Sequence, residues 1–269
     1  MTSLPVPSTK GGRAALAAVL ADPAHTLAVL DFDGTLSPIV DRPEDAFAHP
    51  GAAAALASLA AVVARVAILT GRPATEAVRL GGLDDVAGLV VCGHYGLERW
   101  QGGRLVTPDP HPGVTTARIA AARLVADAPS GVALEDKGHS IAVHTRRATD
   151  PAAAFEAVRP WVERIARDAG LDVAPGKYVL ELRPPGMDKG AAMRALVAET
   201  APRSVVYAGD DLGDLPAVAV LRELDVAALV VCSDSGESPD ALRREADLVV
   251  DGPPAVVAFL AKLGAALSG

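Results

Sequence analysis

Leu27-Ala28-Val29-Leu30-Asp31-Phe32-Asp33-Gly34-Thr35 is the stretch that decides the fold. Its apolar run, with no polar alternation, predicts a strand buried on both faces. The run stops at two carboxylates and a glycine, so acidic groups gather at a strand tip. The same layout recurs at 66–69 before Thr70-Gly71-Arg72, at 89–92 before Gly93, and at 205–208 before Gly209-Asp210-Asp211. Two further apolar runs lie at 227–232 and 248–250. Helical stretches rich in alanine separate most of them, at 51–61, 74–80, 190–200 and 215–224, after a first helix at 14–22. This alternation predicts an α/β fold, a doubly wound, mostly parallel, Rossmann-like sheet with helices on both faces.

The stretch 113–183 follows another pattern. It reads as helix 115–127, strands 132–137 and 140–146, helix 152–169, and strands 171–174 and 178–183. Short links between paired strands predict an antiparallel sheet with helices on one face, an α+β unit. Pro108-Asp109-Pro110-His111-Pro112-Gly113 and Pro184-Pro185-Gly186 bracket it as hinges. The expected organisation is a core at 1–112 and 184–269, interrupted by an inserted cap at 113–183. Residues 1–12, rich in Pro, Gly, Ser and Thr, are expected to fray.

Composition narrows the partners. The chain of 269 residues carries 25 Lys and Arg against 33 Asp and Glu, and a net charge of −8 disfavours nucleic acid. Four Phe, three Tyr and two Trp leave little for base stacking. At 50% hydrophobic the chain is too apolar to be disordered. No apolar run approaches the ~20 residues of a membrane span, and the start lacks the charged-then-apolar layout of a signal peptide. Cys92 and Cys232 sit in apolar runs and read as buried free thiols. A soluble, cytoplasmic protein is expected, its oligomeric state left open.

In doubly wound sheets, ligands bind beyond the carboxyl ends of the strands. Paired carboxylates at such an end suit a hard divalent cation, Mg2+, with oxygen ligands. The plainer alternative is an Asx turn closing a buried strand. Asp31-Phe32-Asp33-Gly34-Thr35 resembles the first motif of the haloacid dehalogenase-like phosphatases, and three more motifs follow in that family's order. Thr70 ends the second strand, Lys189 in Asp188-Lys189-Gly190 opens a helix, and Gly209-Asp210-Asp211-Leu212-Gly213-Asp214 ends a later strand. The resemblance implies Asp31 as a nucleophile forming an aspartyl-phosphate, and Asp33 as general acid and then base. It implies Thr70 as the phosphoryl-binding hydroxyl, Lys189 as a charge-compensating lysine, and Mg2+ held by Asp31, the Asp33 backbone carbonyl and Asp210. Asp211 and Asp214 admit two roles: metal binding through water or orientation of Lys189, against simple carboxylates at a helix N-terminus. Gly71 and Arg72 are candidate substrate-binding residues, although Arg72 reads equally as a surface residue at a helix start.

The inserted segment narrows the substrate. Glu135-Asp136-Lys137-Gly138-His139-Ser140, Ala142-Val143-His144 and Glu181-Leu182-Arg183-Pro184 are similar to the cap of the trehalose-6-phosphate phosphatases. Strand alternation puts Glu135 with Lys137, His144 with Arg146, and Glu181 with Arg183 on shared faces. A solvated polar face is the alternative. The resemblance implies Glu135, Lys137, Arg146, Glu181 and Arg183 as sugar-hydroxyl ligands, and a small sugar phosphate, trehalose 6-phosphate, as substrate. Leu215 and Tyr95 depart from that family's pattern, where an acidic residue and a histidine are common, and His94 stays a candidate ligand. Two rivals remain: a capped phosphatase of sucrose-phosphate or mannosyl-glycerate-phosphate type, and a non-catalytic phosphate-binding regulatory protein.

Overall fold

The computed structural model describes residues 3–40, 42–176, 178–236 and 238–268. The chain divides into two compact units, Met1–Thr107 with Asp188–Gly269, and Pro108–Met187. The larger unit begins with α1 (Lys10–Ala21), β1 (Thr26–Leu30), α2 (Ala52–Ala60), β2 (Arg65–Leu69) and α3 (Ala74–Gly81). It continues through β3 (Val90–Gly93), β4 (Glu98–Gln101) and β5 (Arg104–Val106). The smaller unit consists of α4 (Pro112–Ala126), β6 (Ala133–Asp136), β7 (Ile141–His144), α5 (Pro151–Ala169), β8 (Asp172–Gly176) and β9 (Val179–Arg183). The larger unit resumes with α6 (Lys189–Thr200), β10 (Ser204–Gly209), α7 (Leu215–Glu223) and β11 (Ala227–Ser233). It closes with α8 (Asp240–Glu245), β12 (Leu248–Val250) and α9 (Gly252–Leu267).

Among the described residues the larger unit forms one eight-stranded sheet, ordered β12-β11-β10-β1-β2-β3-β4-β5. Pairings from β12 to β3 are parallel. Every residue of β1 is buried, because successive side chains enter apolar layers on opposite faces. Ala28 and Leu30 join Leu16, Leu56 and Leu260 of α1, α2 and α9, while Leu27 and Val29 join Met193 and Val218 of α6 and α7. Strand order reverses beside β1: β2 and β3 step away on one side, β10 and β11 on the other. Helices leaving on opposite faces open a crevice at the carboxyl ends of β1 and β10. Leu30 lies opposite both Ala208 and Ile68, so Asp31, Thr70 and Asp210 emerge at neighbouring strand tips.

The sheet also carries an antiparallel edge that the α/β pattern does not announce. Gly102 and Gly103, with φ of 56° and 79°, turn β4 into β5 as the left-handed pair of a tight hairpin. Every residue of β5 is exposed, so no apolar periodicity marks it. Leu4, Ser8 and Thr9, within the segment expected to fray, are tied down. The Ser8 N–H donates to the Asp247 carbonyl at 2.8 Å, Thr9 caps α1 at the Gly12 N–H, and Leu4 packs on the core. The buried Asp247 carboxylate also bonds Thr9 and accepts from the Val230 N–H at 3.0 Å and from Arg222 at 3.1 Å. Met1 and Thr2 lie outside the described residues. No helix among the described residues is long and apolar enough to cross a membrane.

The smaller unit is a four-stranded antiparallel sheet, β6-β7-β9-β8. Ile141, Val143, Leu180 and Leu182 pack on Val114 and Ala117 of α4 and Val158 and Val162 of α5. The alternate positions face the other way: Glu135, Ala142, Glu181 and Ala174 form one row across the strands. Strand β7 ends at His144, two residues short of the sequence expectation, and Arg146 lies in the exposed turn beyond it.

Asp247→Ala leaves the Val230 amide, the Thr9 hydroxyl and Arg222 without this acceptor. The variant is expected to lose about 2–3 kcal/mol of unfolding free energy in urea titrations.

Candidate active site

The crevice is built from backbone constraints first. The Asp31 N–H donates to the Ala208 carbonyl at 2.9 Å, which carries the β1–β10 ladder to the first aspartate and buries its side chain. Gly34 has φ 73°, and a Cβ there would fall 2.0 Å from Asp210 Oδ2, so glycine alone lets the loop after β10 approach. The Ser233 hydroxyl donates to the Gly34 carbonyl at 2.6 Å and fixes that turn. Asp188 caps α6 by accepting from the Ala191 N–H at 2.8 Å, and Lys189 opens the helix facing the crevice. Its ammonium lies 2.6 Å from Asp31 Oδ1 and 2.6 Å from Asp214 Oδ1.

Asp214 is saturated. Its Oδ1 accepts from Lys189 and from the Tyr207 hydroxyl at 2.5 Å, and its Oδ2 accepts from the Asp210 and Asp211 amides at 2.8 and 3.0 Å. Those donors occupy the lone-pair directions a carboxylate offers. Asp211 turns outward and accepts from the Gly213 N–H at 2.8 Å, capping the short turn before α7. Tyr207 is absent from the sequence expectation. Its signal was a lone hydroxyl inside the apolar run Val205-Val206-Tyr207-Ala208, which a buried strand has to satisfy.

Carboxylate oxygens of Asp31, Asp210 and Asp214 lie within 4.8 Å of one another, all buried. Burial raises Asp31 to about 8, with Lys189 pulling the other way and Asp214 adding to the rise. Burial and then the Asp31 charge raise Asp210 to about 10. For Lys189, burial works against the charge, but Asp214 and Asp31 outweigh it and hold the ammonium well above its ordinary range. Against the opposing effect of burial, Lys189 holds Asp214 below the usual carboxylate range. Three carboxylates therefore face one ammonium, a deficit of two positive charges lined by hard oxygen donors. That donor set fits a divalent cation, with Asp31 and Asp210 as the carboxylates free to hold it.

The second strand tip is braced from two sides. Thr70 is buried, and its hydroxyl accepts from the Arg72 N–H at 3.1 Å. The Arg72 guanidinium grips Asp33, Nε to Oδ2 at 2.8 Å and Nη2 to Oδ1 at 2.7 Å. Arg72 is thus no surface residue. The His94 N–H donates to the Arg72 carbonyl and the Tyr95 N–H to the Thr70 carbonyl, each at 2.9 Å. Both residues have left-handed backbones, φ 46° and 56°, an uncommon state for side chains of this size. The Tyr95 hydroxyl lies over Gly71, where a Cβ would meet it at 2.6 Å. His94 is buried, its Nε2 3.8 Å from Glu98, whose other oxygen caps α3 at the Ala74 N–H, 2.7 Å. Glu98 closes the stretch Gly93-His94-Tyr95-Gly96-Leu97-Glu98, but the sequence expectation gives it no role.

In the smaller unit, two charged groups flank the small Ala142. Glu135 pairs with His144 at 2.8 Å, and buried Glu181 accepts from Ser140 at 2.6 Å and from Lys137 at 3.3 Å. Arg183 ends β9 opposite Asp172, and Arg146 stands apart in its turn.

This fold is shared by a solved haloacid dehalogenase-like hydrolase from Bacteroides thetaiotaomicron, which superposes with a TM-score of 0.61 at 14% identity over 88% of this chain and 98% of that one. The trehalose-phosphatase family matches residues 29–248, and the chain belongs to that family. It is 33% identical over 255 residues to the trehalose-phosphate phosphatase of Mycobacterium marinum, covering 88% of this chain and 61% of that protein. An uncharacterized glycosyl hydrolase of Mycobacterium tuberculosis is 35% identical over 252 residues, 87% of this chain but 18% of its own length. The chain thus spans about three fifths or less of these curated relatives. A solved trehalose-6-phosphate phosphatase related protein superposes with a TM-score of 0.71 at 27% identity, covering 89% of this chain and 97% of that one.

The raised carboxyls set a pH dependence for the chelated protein. Folded Asp31 and Asp210 bind protons more tightly than they do in the unfolded chain, where carboxyls titrate near 3.8. Stability is therefore full below that value and falls as pH climbs towards 8 and 10. Asp210→Asn removes the larger shift, so thermal melts in chelator from about pH 5 to about pH 9 are expected to show a flatter decline than wild type.

Proposed function

We propose that this chain hydrolyses trehalose 6-phosphate to trehalose and phosphate through an aspartyl-phosphate on Asp31, with Mg2+ held by Asp31 and Asp210. The observation that carries this is the Lys189 ammonium, 2.6 Å from both Asp31 and Asp214, in a member of the trehalose-phosphatase family. Asp31 attacks phosphorus, and a P–O bond forms to its carboxylate as the bond to the sugar oxygen breaks. Asp33 gives the departing oxygen its proton. Water then attacks the phosphorus, Asp33 takes up the proton, and phosphate leaves with Asp31 regenerated. Lys189 and the Thr70 hydroxyl stabilise the charge on the transferring phosphoryl oxygens, and Asp214 keeps Lys189 in place. The cation, when bound, offsets repulsion between the Asp31 carboxylate and the phosphate.

Glu135, Lys137 and Glu181 are assigned to the sugar hydroxyls. Charged groups that bond a hydroxyl discriminate strongly against analogues lacking it. The cytoplasm is the compartment proposed, in keeping with two free, buried thiols at Cys92 and Cys232.

Phosphate release from a panel of sugar phosphates, with and without chelator, tests this function. Trehalose 6-phosphate is expected to be preferred, chelator to abolish turnover, and Asp31→Asn to cost about 10³-fold or more. Glu135→Ala and Glu181→Ala are each expected to raise KM for trehalose 6-phosphate about tenfold. Equal turnover of sucrose or mannosyl-glycerate phosphates would overturn the substrate. Phosphate binding without turnover would overturn the enzyme in favour of a regulatory protein.

A further inference from the structure

Asp33 stands outside the carboxylate cluster, with its side chain one third exposed, yet its assigned work demands a fixed carboxylate. What holds it comes from another motif, 39 residues along the chain. The Arg72 fork meets both oxygens of Asp33 in two side-by-side bonds. Such a pair sets the plane of a carboxylate as well as its place, which a single point charge does not.

Arg72 is itself held from several directions. It is 9% exposed, and its guanidinium carbon lies 5.8 Å from the centre of the Phe32 ring. Its Nη1 is 3.5 Å from Glu76 in the first turn of α3. Its backbone N–H rests on Thr70 Oγ1, and its carbonyl accepts from the His94 amide. An arginine clamped by its own backbone, an aromatic face and a second carboxylate has little freedom to follow a ligand. It has what a jig for Asp33 needs.

We infer that Arg72 is a positioning residue that acts through Asp33, holding the carboxylate where the proton leaves for the sugar oxygen as the P–O bond breaks. This rests on the phosphatase function proposed above. The consequence depends on the leaving group. A sugar alkoxide departs only with a proton, whereas p-nitrophenolate departs without one, so displacement of Asp33 harms the first reaction far more than the second.

The test measures kcat/KM for wild type, Arg72→Lys, Asp33→Asn and the double variant, on trehalose 6-phosphate and p-nitrophenyl phosphate, with inhibition by inorganic phosphate alongside. Arg72→Lys keeps the charge and loses the fork. It is expected to lower kcat/KM about 10- to 100-fold on the sugar phosphate and less than about threefold on the aryl phosphate, with phosphate inhibition unchanged. The double variant is expected to match Asp33→Asn alone, because one residue acts through the other. Arg72→Gln replaces Arg72→Lys if melting shows the latter unfolded. Equal losses on both substrates with weaker phosphate inhibition would overturn the inference in favour of direct phosphoryl binding. Multiplying losses in the double variant would overturn it too. A wild type that turns over neither substrate overturns the phosphatase function, and this inference with it.

Discussion

A lysine ammonium buried between two carboxylates is the contact on which the larger unit's chemistry depends. Burying the charge is costly, and the Coulombic return exceeds that cost only where each partner is fully bonded and water is excluded. Here the requirement is met by convergence. Strand β1 delivers Asp31, the turn after β10 delivers Asp214, and the start of α6 delivers Lys189. Tyr207 and two backbone amides fill what remains of Asp214. Removing any one of these elements leaves a buried charge without its counterpart. The sheet order, the Gly34 turn and the Asp188 cap are the conditions under which Lys189 can sit there.

That contact is incomplete in a useful way. One ammonium cannot neutralise three carboxylates, and the surplus appears as Asp31 and Asp210 holding their protons far above the ordinary carboxyl range. A site short of two positive charges is strained electrostatically when empty and suited to a divalent ion. The smaller unit has the opposite arrangement. Its Glu135 is matched by His144, and its Glu181 by Lys137 and Ser140, around a row kept open by Ala142 and Ala174.

Legibility followed physical range. The parallel strands were visible because both faces are buried, which leaves unbroken apolar runs, and the motif residues were visible because each ends such a run or opens a helix. The β4–β5 hairpin carries only Gly102-Gly103 as a signal, since a solvent-exposed edge strand needs no apolar pattern. Pro and Ser near the start imply fraying until Asp247, more than two hundred residues away, supplies their partner. Arg146 reads as strand from composition, but the chain turns at Thr145 and takes it off the sheet face.

Within the site the same division holds. Asp31, Thr70, Lys189 and Asp210 stand out together, through four motifs in a family's order, each at a strand end or helix start. Their mutual distances, the saturation of Asp214 and the Arg72 fork on Asp33 carry no local signal at all. Residue type and short-range pattern determined that this is an α/β chain with acidic strand tips and an inserted α+β unit. Only the tertiary structure decided which carboxylates share a deficit of positive charge, which are already spent on hydrogen bonds, and that Arg72 faces inward. Those outcomes depend on which strand tips become neighbours, and strand order is settled by packing across the whole sheet, beyond the reach of any local window.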